Sequence, residues 1–97
     1  MVFDDITRTR FHSGPLLAAP VGEACVVRSV RAPDSNPDLK SQHEDIGFVP
    51  GETVQITVRG FPGGEPLAVR IGESTFALRA IEASCIEVEI ISNPGLR

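Results

Sequence analysis

Apolar and polar residues alternate without a break along the stretch Glu52-Thr53-Val54-Gln55-Ile56-Thr57-Val58-Arg59. A period of two is typical of a β-strand that has one buried face and one face in water. The alternation predicts that Val54, Ile56 and Val58 lie together on the buried face. We therefore predict that this stretch is a strand at the centre of the fold.

The same alternation returns on both sides of this strand. Downstream it involves Leu67, Val69, Ile71, Phe76, Leu78, Ile86, Val88 and Ile90. Gly-rich turns separate these segments, and glycine adopts tight-turn backbone angles at no steric cost. Upstream, residues 23–31 form the first strand, with a bulge expected near Arg28, whose charge interrupts the apolar set. Short strands joined by tight turns predict an all-β fold, a small five-stranded barrel.

Short helical segments interrupt this all-β pattern. The longest is predicted between the first two strands, with Ser35 as its N-terminal cap and Pro37 in its first turn. Its apolar stripe consists of Leu39, His43 and Ile46. Gly47 is a typical C-terminal stop. Single helical turns are predicted at residues 16–19, where they cover one end of the barrel, and at residues 79–83.

Length and charge narrow the class of protein. The chain has 97 residues and a net charge of −4. A chain of this length forms one domain, and its acidity disfavours nucleic acid as a partner. No apolar run approaches the roughly 20 residues that span a bilayer, and the acidic N-terminus does not resemble a signal peptide. We therefore expect a cytoplasmic protein that does not insert into a membrane.

The residues that carry chemistry in enzymes form no catalytic motif. Cys25 and Cys85 lack Cys-x-x-Cys spacing, which favours free thiols packed as small hydrophobes over a disulfide or a metal thiolate. His12 and His43 are the two histidines. Neither lies in a hydrolase or metalloprotease motif, and no phosphate-binding loop is present. We therefore predict that the protein is not an enzyme and requires no cofactor.

Three motifs, taken in order, resemble one known family. Ile46-Gly47-Phe48-Val49-Pro50-Gly51-Glu52-Thr53-Val54 is similar to its Leu-Gly-x-x-Pro-Gly-x-x-Val signature. Pro62-Gly63-Gly64-Glu65-Pro66 is similar to its Pro-x-Gly-x-Pro hairpin, and Phe76-Ala77-Leu78-Arg79 with Ala83, Ile86 and Val88 is similar to its ending. On these motifs the chain resembles the FeoA-type, ferrous iron transport protein A domain. The resemblance covers roughly residues 16–90.

This resemblance implies both a fold and a function. The fold is an SH3-like barrel, expected at residues 14–91, after a flexible N-terminal extension at 1–13 and before a C-terminal tail at 92–97. The function is that of a small accessory or regulatory protein of bacterial ferrous iron uptake. Its partner would be the membrane ferrous iron permease, bound non-covalently through the permease's cytoplasmic GTPase part.

Two other functions remain open at the level of the sequence. One is a metal-responsive regulatory subunit related to the C-terminal domain of iron-dependent repressors, although this chain has no DNA-binding helices. The other is a peptide-binding SH3-like module, which the absence of Trp and Tyr disfavours because such grooves are lined by aromatic residues.

The candidate partner-binding residues are Phe61, Pro62 and Arg79. Phe61 and Pro62 lie at a predicted loop tip, and aromatic residues often anchor interfaces. Folding of this loop back over its own barrel is the alternative. Arg79 lies at a turn and could pair with an acidic partner surface. Arg59 and Arg70 are interpreted as solvated charges on the barrel.

The candidate metal ligands are His43, Glu44, Glu52 and His12. His43 occupies a position where the family tends to place Leu. One interpretation is a ring packed at the edge of the stripe with one nitrogen in water. The other is a ligand of zinc or ferrous iron, metals that imidazole and carboxylates suit. These residues do not complete a tetrahedral site, so we expect weak Zn or Fe(II) binding between two chains, and a monomer or a weak, metal-bridged homodimer.

Overall fold

The computed structural model describes residues 12–60 and 63–91. Six strands form one antiparallel sheet in the order β1-β6-β2-β3-β4-β5. The strands are β1 (Ser13–Pro15), β2 (Ala24–Val30), β3 (Thr53–Gly60), β4 (Gly64–Ile71), β5 (Ser74–Leu78) and β6 (Ile86–Ile90). The helices are α1 (Leu39–Asp45), α2 (Ala80–Ala83) and a 3₁₀ turn at Leu16–Ala18. The all-β prediction and the helix between the first two predicted strands are confirmed.

The prediction of five strands omitted β1. This strand pairs with β6, with Ser13 opposite Glu89 and Pro15 opposite Glu87. It has only three residues, too few to show an alternation, and its Gly-Pro pair is typical of a turn. Two residues of the predicted extension therefore belong to the sheet region, since Ile90 N–H donates to the His12 carbonyl at 2.8 Å. Residues 1–11 and the predicted tail at 92–97 lie outside the described residues.

A single apolar core lies inside the curled sheet. Its members are Leu16, Ala19, Cys25, Val27, Val30, Phe48, Val54, Ile56, Leu67, Val69, Ile71, Leu78, Ala83, Ile86 and Val88. Every strand from β2 to β6 contributes to this core, as alternation along the strands predicts. The 3₁₀ turn adds Leu16, which is fully buried, so the predicted covering turn is confirmed.

The buried face of β3 ends at Ile56, two residues earlier than the alternation predicts. Val54 and Ile56 are buried, but Val58 is 56% exposed. The pairing with β4 shifts between Ile56 and Val58, so that Ile56 lies opposite Val69 and Val58 opposite Ala68. A bulge inserts one unpaired residue and turns the following side chains over. The prediction that Val58 is buried is therefore wrong.

The bulge predicted near Arg28 is present. The pairing of β2 with β6 shifts between Val27 and Ser29. Because of this shift, Val27 and Val30 both reach the core, although three positions separate them. The outward face carries ion pairs to β6, Arg28 to Glu89 at 3.2 Å and Arg31 to Glu87 at 3.5 Å. Both pairs are exposed and contribute little to stability.

Helix α1 begins later than predicted. Its N-terminal cap is Asp38 rather than Ser35, and the Asp38 side chain makes no capping hydrogen bond. Asn36 N–H donates to the Pro33 carbonyl at 3.0 Å, which holds Ser35 inside a preceding turn. No helix in residues 12–60 and 63–91 is long and apolar enough to cross a bilayer.

Candidate functional site

An open groove lies where β4 begins, β5 ends and α2 starts. Its volume is about 430 Å³, and its lining residues are Glu65, Pro66, Ala77, Arg79 and Glu82. Arg79 is the one predicted partner-binding residue that the described ranges contain. Its side chain is exposed, so it remains available to a partner.

Two carboxylates that line this groove also cap the N-terminus of α2. The α2 N-terminus leaves backbone N–H groups without helical partners. Glu82 Oε1 accepts from Arg79 N–H at 2.7 Å, and Glu65 Oε2 accepts from Ala80 N–H at 2.7 Å. A negative charge at a helix N-terminus is also favoured by the helix dipole. The helix start is therefore tied to β4, which fixes the backbone from which the Arg79 side chain extends.

Phe61 and Pro62 lie outside the described residues. On either side of this loop, Gly60 of β3 is paired with Gly64 of β4. Gly60 packs so closely on the backbone of Glu65 that a Cβ at position 60 would overlap the Glu65 carbonyl. Glycine is therefore required where the loop leaves β3, beside a residue that lines the groove.

The candidate metal ligands are not brought together within one chain. In the part of the chain that the structure describes, no three His, Cys, Asp or Glu side chains could hold a metal ion. His12 is exposed, whereas His43 is 3% exposed. Glu44 and Glu52 are half-buried. A metal shared between two copies would reach His43 only if its ring left the interior.

His43 is more deeply buried than the sequence indicated. Both of its ring nitrogens are buried and have no hydrogen-bond partner among the described residues. Its ring meets Phe48 edge-on, with 5.6 Å between centroids and 64° between planes. The interpretation of a ring with one nitrogen in water is therefore wrong. Burial lowers the pKa of His43 below its ordinary value, and the nearby Glu82 carboxylate raises it in part.

Both cysteines are free and buried, as predicted. Burial and, to a smaller extent, the neighbouring Glu23 carboxylate together raise the pKa of the Cys25 thiol to about 11. The Cys85 thiol donates to the Ile81 carbonyl at 3.4 Å. Reactive thiols are exposed and have lowered pKa values, so Cys25 is a packing residue.

Arg59 has a structural role that the sequence did not reveal. Its Nη2 donates to the carbonyls of Leu17 at 2.7 Å and Ala19 at 2.8 Å. The guanidinium thus joins the end of β3 to the 3₁₀ turn, about 40 residues away along the chain. The interpretation of Arg59 as a solvated charge is wrong. In the sequence, Arg59 falls among the polar positions of the alternation, and that pattern does not indicate a contact with a distant backbone.

The FeoA domain family model matches residues 14–90 of the chain. The chain belongs to the FeoA family. The resemblance that the three motifs indicated is thereby confirmed, and with it the assignment to a family of small accessory domains of ferrous iron transport. No curated protein matches the chain.

Solved FeoA structures share the fold. The FeoA of Stenotrophomonas maltophilia, solved in complex with zinc, is 37% identical, with a TM-score of 0.70 over 77% of this chain and 88% of that one. That protein is described as a prokaryotic SH3 domain protein and proposed as a ferrous iron transport activating factor. The iron(II) transport protein A of Clostridium thermocellum is 30% identical, with a TM-score of 0.70 over 79% of this chain and 45% of that one. The expected SH3-like fold is confirmed.

A repressor shares the fold as well. A manganese-dependent transcriptional repressor is 20% identical, with a TM-score of 0.68 over 81% of this chain and 42% of that one. At this identity the likeness shows a common fold, and it assigns no regulatory function to this FeoA domain.

Proposed function

We propose that this FeoA-family protein is an accessory factor of bacterial ferrous iron uptake that binds the cytoplasmic GTPase part of the membrane ferrous iron permease. Membership of the family supports the pathway. The observation that carries the contact is the open groove with an exposed arginine at its rim. The protein acts in the cytoplasm by non-covalent binding, which alters assembly or nucleotide turnover of the GTPase.

The proposed contact consists of Arg79 together with Phe61 and Pro62. Arg79 extends from a backbone that two carboxylates hold in place, so little ordering is needed when it pairs with an acidic partner. A carboxylate is the natural partner of a guanidinium, because the planar fork donates two parallel hydrogen bonds. Phe61 would add the aromatic anchor that interfaces favour.

Binding of purified protein to the GTPase region of the permease tests this proposal. Arg79→Glu should weaken binding at least about tenfold by calorimetry, the loss expected when a charge pair becomes a repulsion. Arg70→Glu is the matched control, since Arg70 is also exposed, on β4, but does not line the groove. Phe61→Ala should weaken binding without lowering the melting temperature. Equal binding by all variants would refute the contact.

Weak zinc binding between copies is a separate proposal. The zinc complex of the Stenotrophomonas maltophilia protein supports it. In this chain the ligands would be His12, Glu44 and Glu52, with His43 after its ring leaves the interior. Sedimentation of the wild type and His43→Ala, with and without zinc, tests the role of His43. A zinc-dependent dimer that forms equally in both proteins would remove His43 from the site.

A further inference from the structure

The two edges of the sheet are built differently. β1 is three residues long and contains Gly14 and Pro15. A short strand with proline is a poor template for another strand. β5, at the opposite edge, has five residues and pairs with β4 without a register shift, from Ile71 opposite Ser74 to Leu67 opposite Leu78. It contains neither a charged residue nor proline.

The turn before β5 determines which of its backbone groups face outward. Gly72 has φ of 60°, and no described residue other than glycine has positive φ, which together indicate a type II′ hairpin. In a two-residue hairpin the flanking pair, Ile71 and Ser74, exchanges both backbone hydrogen bonds. Bonded and non-bonded pairs then alternate along the ladder. The N–H and C=O groups of Thr75 and Ala77 therefore point away from β4.

A contact on β4 supports this assignment. Ala68 lies opposite Ala77, and its carbonyl accepts from the Thr57 hydroxyl of β3 at 3.3 Å. The Ala68 backbone thus faces β3, as expected for a residue in a non-bonded pair with Ala77. Among residues 12–60 and 63–91, β5 pairs with β4 alone, no turn or loop backbone hydrogen bond involves Thr75 or Ala77, and both residues are exposed.

We propose that two copies of this chain associate by antiparallel pairing of their β5 strands, with Phe76 on the two-fold axis. Thr75 of each copy then exchanges both backbone hydrogen bonds with Ala77 of the other. The same register places Glu73 of one copy beside Arg79 of the second copy, twice by symmetry. Both residues are exposed, and neither takes part in an ion pair with another described residue.

Charge complementarity selects this register over its neighbours. Only the odd-numbered residues of β5 have backbone N–H and C=O groups that point outward. Alternative pairings of the two β5 strands therefore differ from this one by shifts of two residues. Centring the axis on Thr75 would place Glu73 beside Ala77, and the ion pair would be lost. Phe76 adds to the chosen register, because it is only half-buried and the side chains of a non-bonded antiparallel pair approach closely.

The resulting dimer is weak. Its exposed ion pairs contribute little, and the net charge of −4 on each copy opposes association. Sedimentation equilibrium across a concentration series in EDTA should show a monomer–dimer equilibrium that does not need metal. In the same samples, amide exchange at Thr75 and Ala77 should slow as the concentration rises, while the Phe76 amide, bonded to β4, stays protected throughout.

Two sets of variants test the pairing. Ala77→Pro removes an N–H that β4 does not use, and it should weaken the dimer at least about tenfold, while Ala77→Ser should not. Glu73→Arg should also weaken the dimer, and the double variant Glu73→Arg with Arg79→Glu should restore it. If Ala77→Pro does not fold, Glu73→Arg and the double variant still test the pairing. A wild type that stays monomeric at millimolar concentration, or a dimer with freely exchanging Thr75 and Ala77 amides, would overturn the proposal.

Discussion

His43 is a polar side chain in an apolar site. Within residues 12–60 and 63–91 neither ring nitrogen has a hydrogen-bond partner, and an unsatisfied buried polar group costs about 1–3 kcal/mol. Leu fits a stripe position on a helix and needs no partner. We expect His43→Leu to raise the free energy of unfolding by about 1–3 kcal/mol, measured by urea denaturation at neutral pH. A destabilised His43→Leu protein would mean that the ring's contact with Phe48 outweighs the missing hydrogen bonds.

The same residue predicts a pH dependence of stability. Burial lowers the pKa of His43 in the folded protein below its ordinary value of 6.5, so below that pH the unfolded chain binds the proton more readily. Stability is therefore complete above about pH 6.5 and falls as the pH drops through that value. Denaturation midpoints between about pH 5.5 and 7.5 should show this slope in the wild type and not in His43→Leu. An equal slope in both proteins would assign it to other groups.

Residue spacing predicted where these side chains lie but not what they contact. Spacing alone placed His43 on the inner stripe of α1, and it is indeed buried. Whether its nitrogens meet water depends on Phe48 and on the neighbouring elements, which spacing does not specify. Arg59 illustrates the same limit, since its partners are backbone carbonyls far away in the sequence.

At the scale of a single element, Val54 and Val58 of β3 are two positions at which the same substitution should have very different effects on stability. Both follow the alternation, yet Val54 is 1% exposed and Val58 is 56% exposed. Val54→Asp should abolish cooperative folding, because an unpaired buried carboxylate costs several kcal/mol. Val58→Asp should change stability by less than about 0.5 kcal/mol. Thermal melts of the two variants decide this, and comparable losses in both would contradict the bulge.

The hydrogen bonds of Arg59 that join β3 to the 3₁₀ turn give a second prediction, on the stability of the fold. Arg59→Ala leaves the Leu17 and Ala19 carbonyls without their charged donor and should cost about 1.5–3 kcal/mol. Arg59→Lys should recover part of this loss, because an ammonium group can donate to one carbonyl but does not reproduce the planar geometry by which the guanidinium donates to both. A variant with unchanged stability would show that water replaces the guanidinium at little cost.

Element boundaries were predicted where a strand is long enough to repeat its pattern. β3, β4 and β6 show the alternation over five or more residues, and all were found. β1 is three residues long and is held in place by pairing with β6, an interaction distant in the sequence. The bulge in β3 was missed because the residues there continue the polar and apolar alternation through it, whereas Arg28 marked the bulge in β2.

For the whole molecule, the proposed partner and the proposed dimer share one region. Arg79 lines the groove and also flanks the β5 edge. If both proposals hold, the GTPase region and a second copy of the chain compete for Arg79. Adding the GTPase region to a concentrated sample should then convert the dimer to a one-to-one complex, which light scattering can follow.

The pairing of β1 with β6 places both ends of the described fold side by side. Ser13 lies opposite Glu89, and His12 accepts a hydrogen bond from Ile90. The order of segments along the chain is therefore not dictated by the sheet. A circular permutant that joins Arg97 to Met1 and opens the chain at Gly72–Glu73 should still fold cooperatively, because chain ends in an exposed turn are well tolerated. The new chain ends would lie directly before β5. A reporter fused there would sit next to β5, away from the β1–β6 end of the molecule.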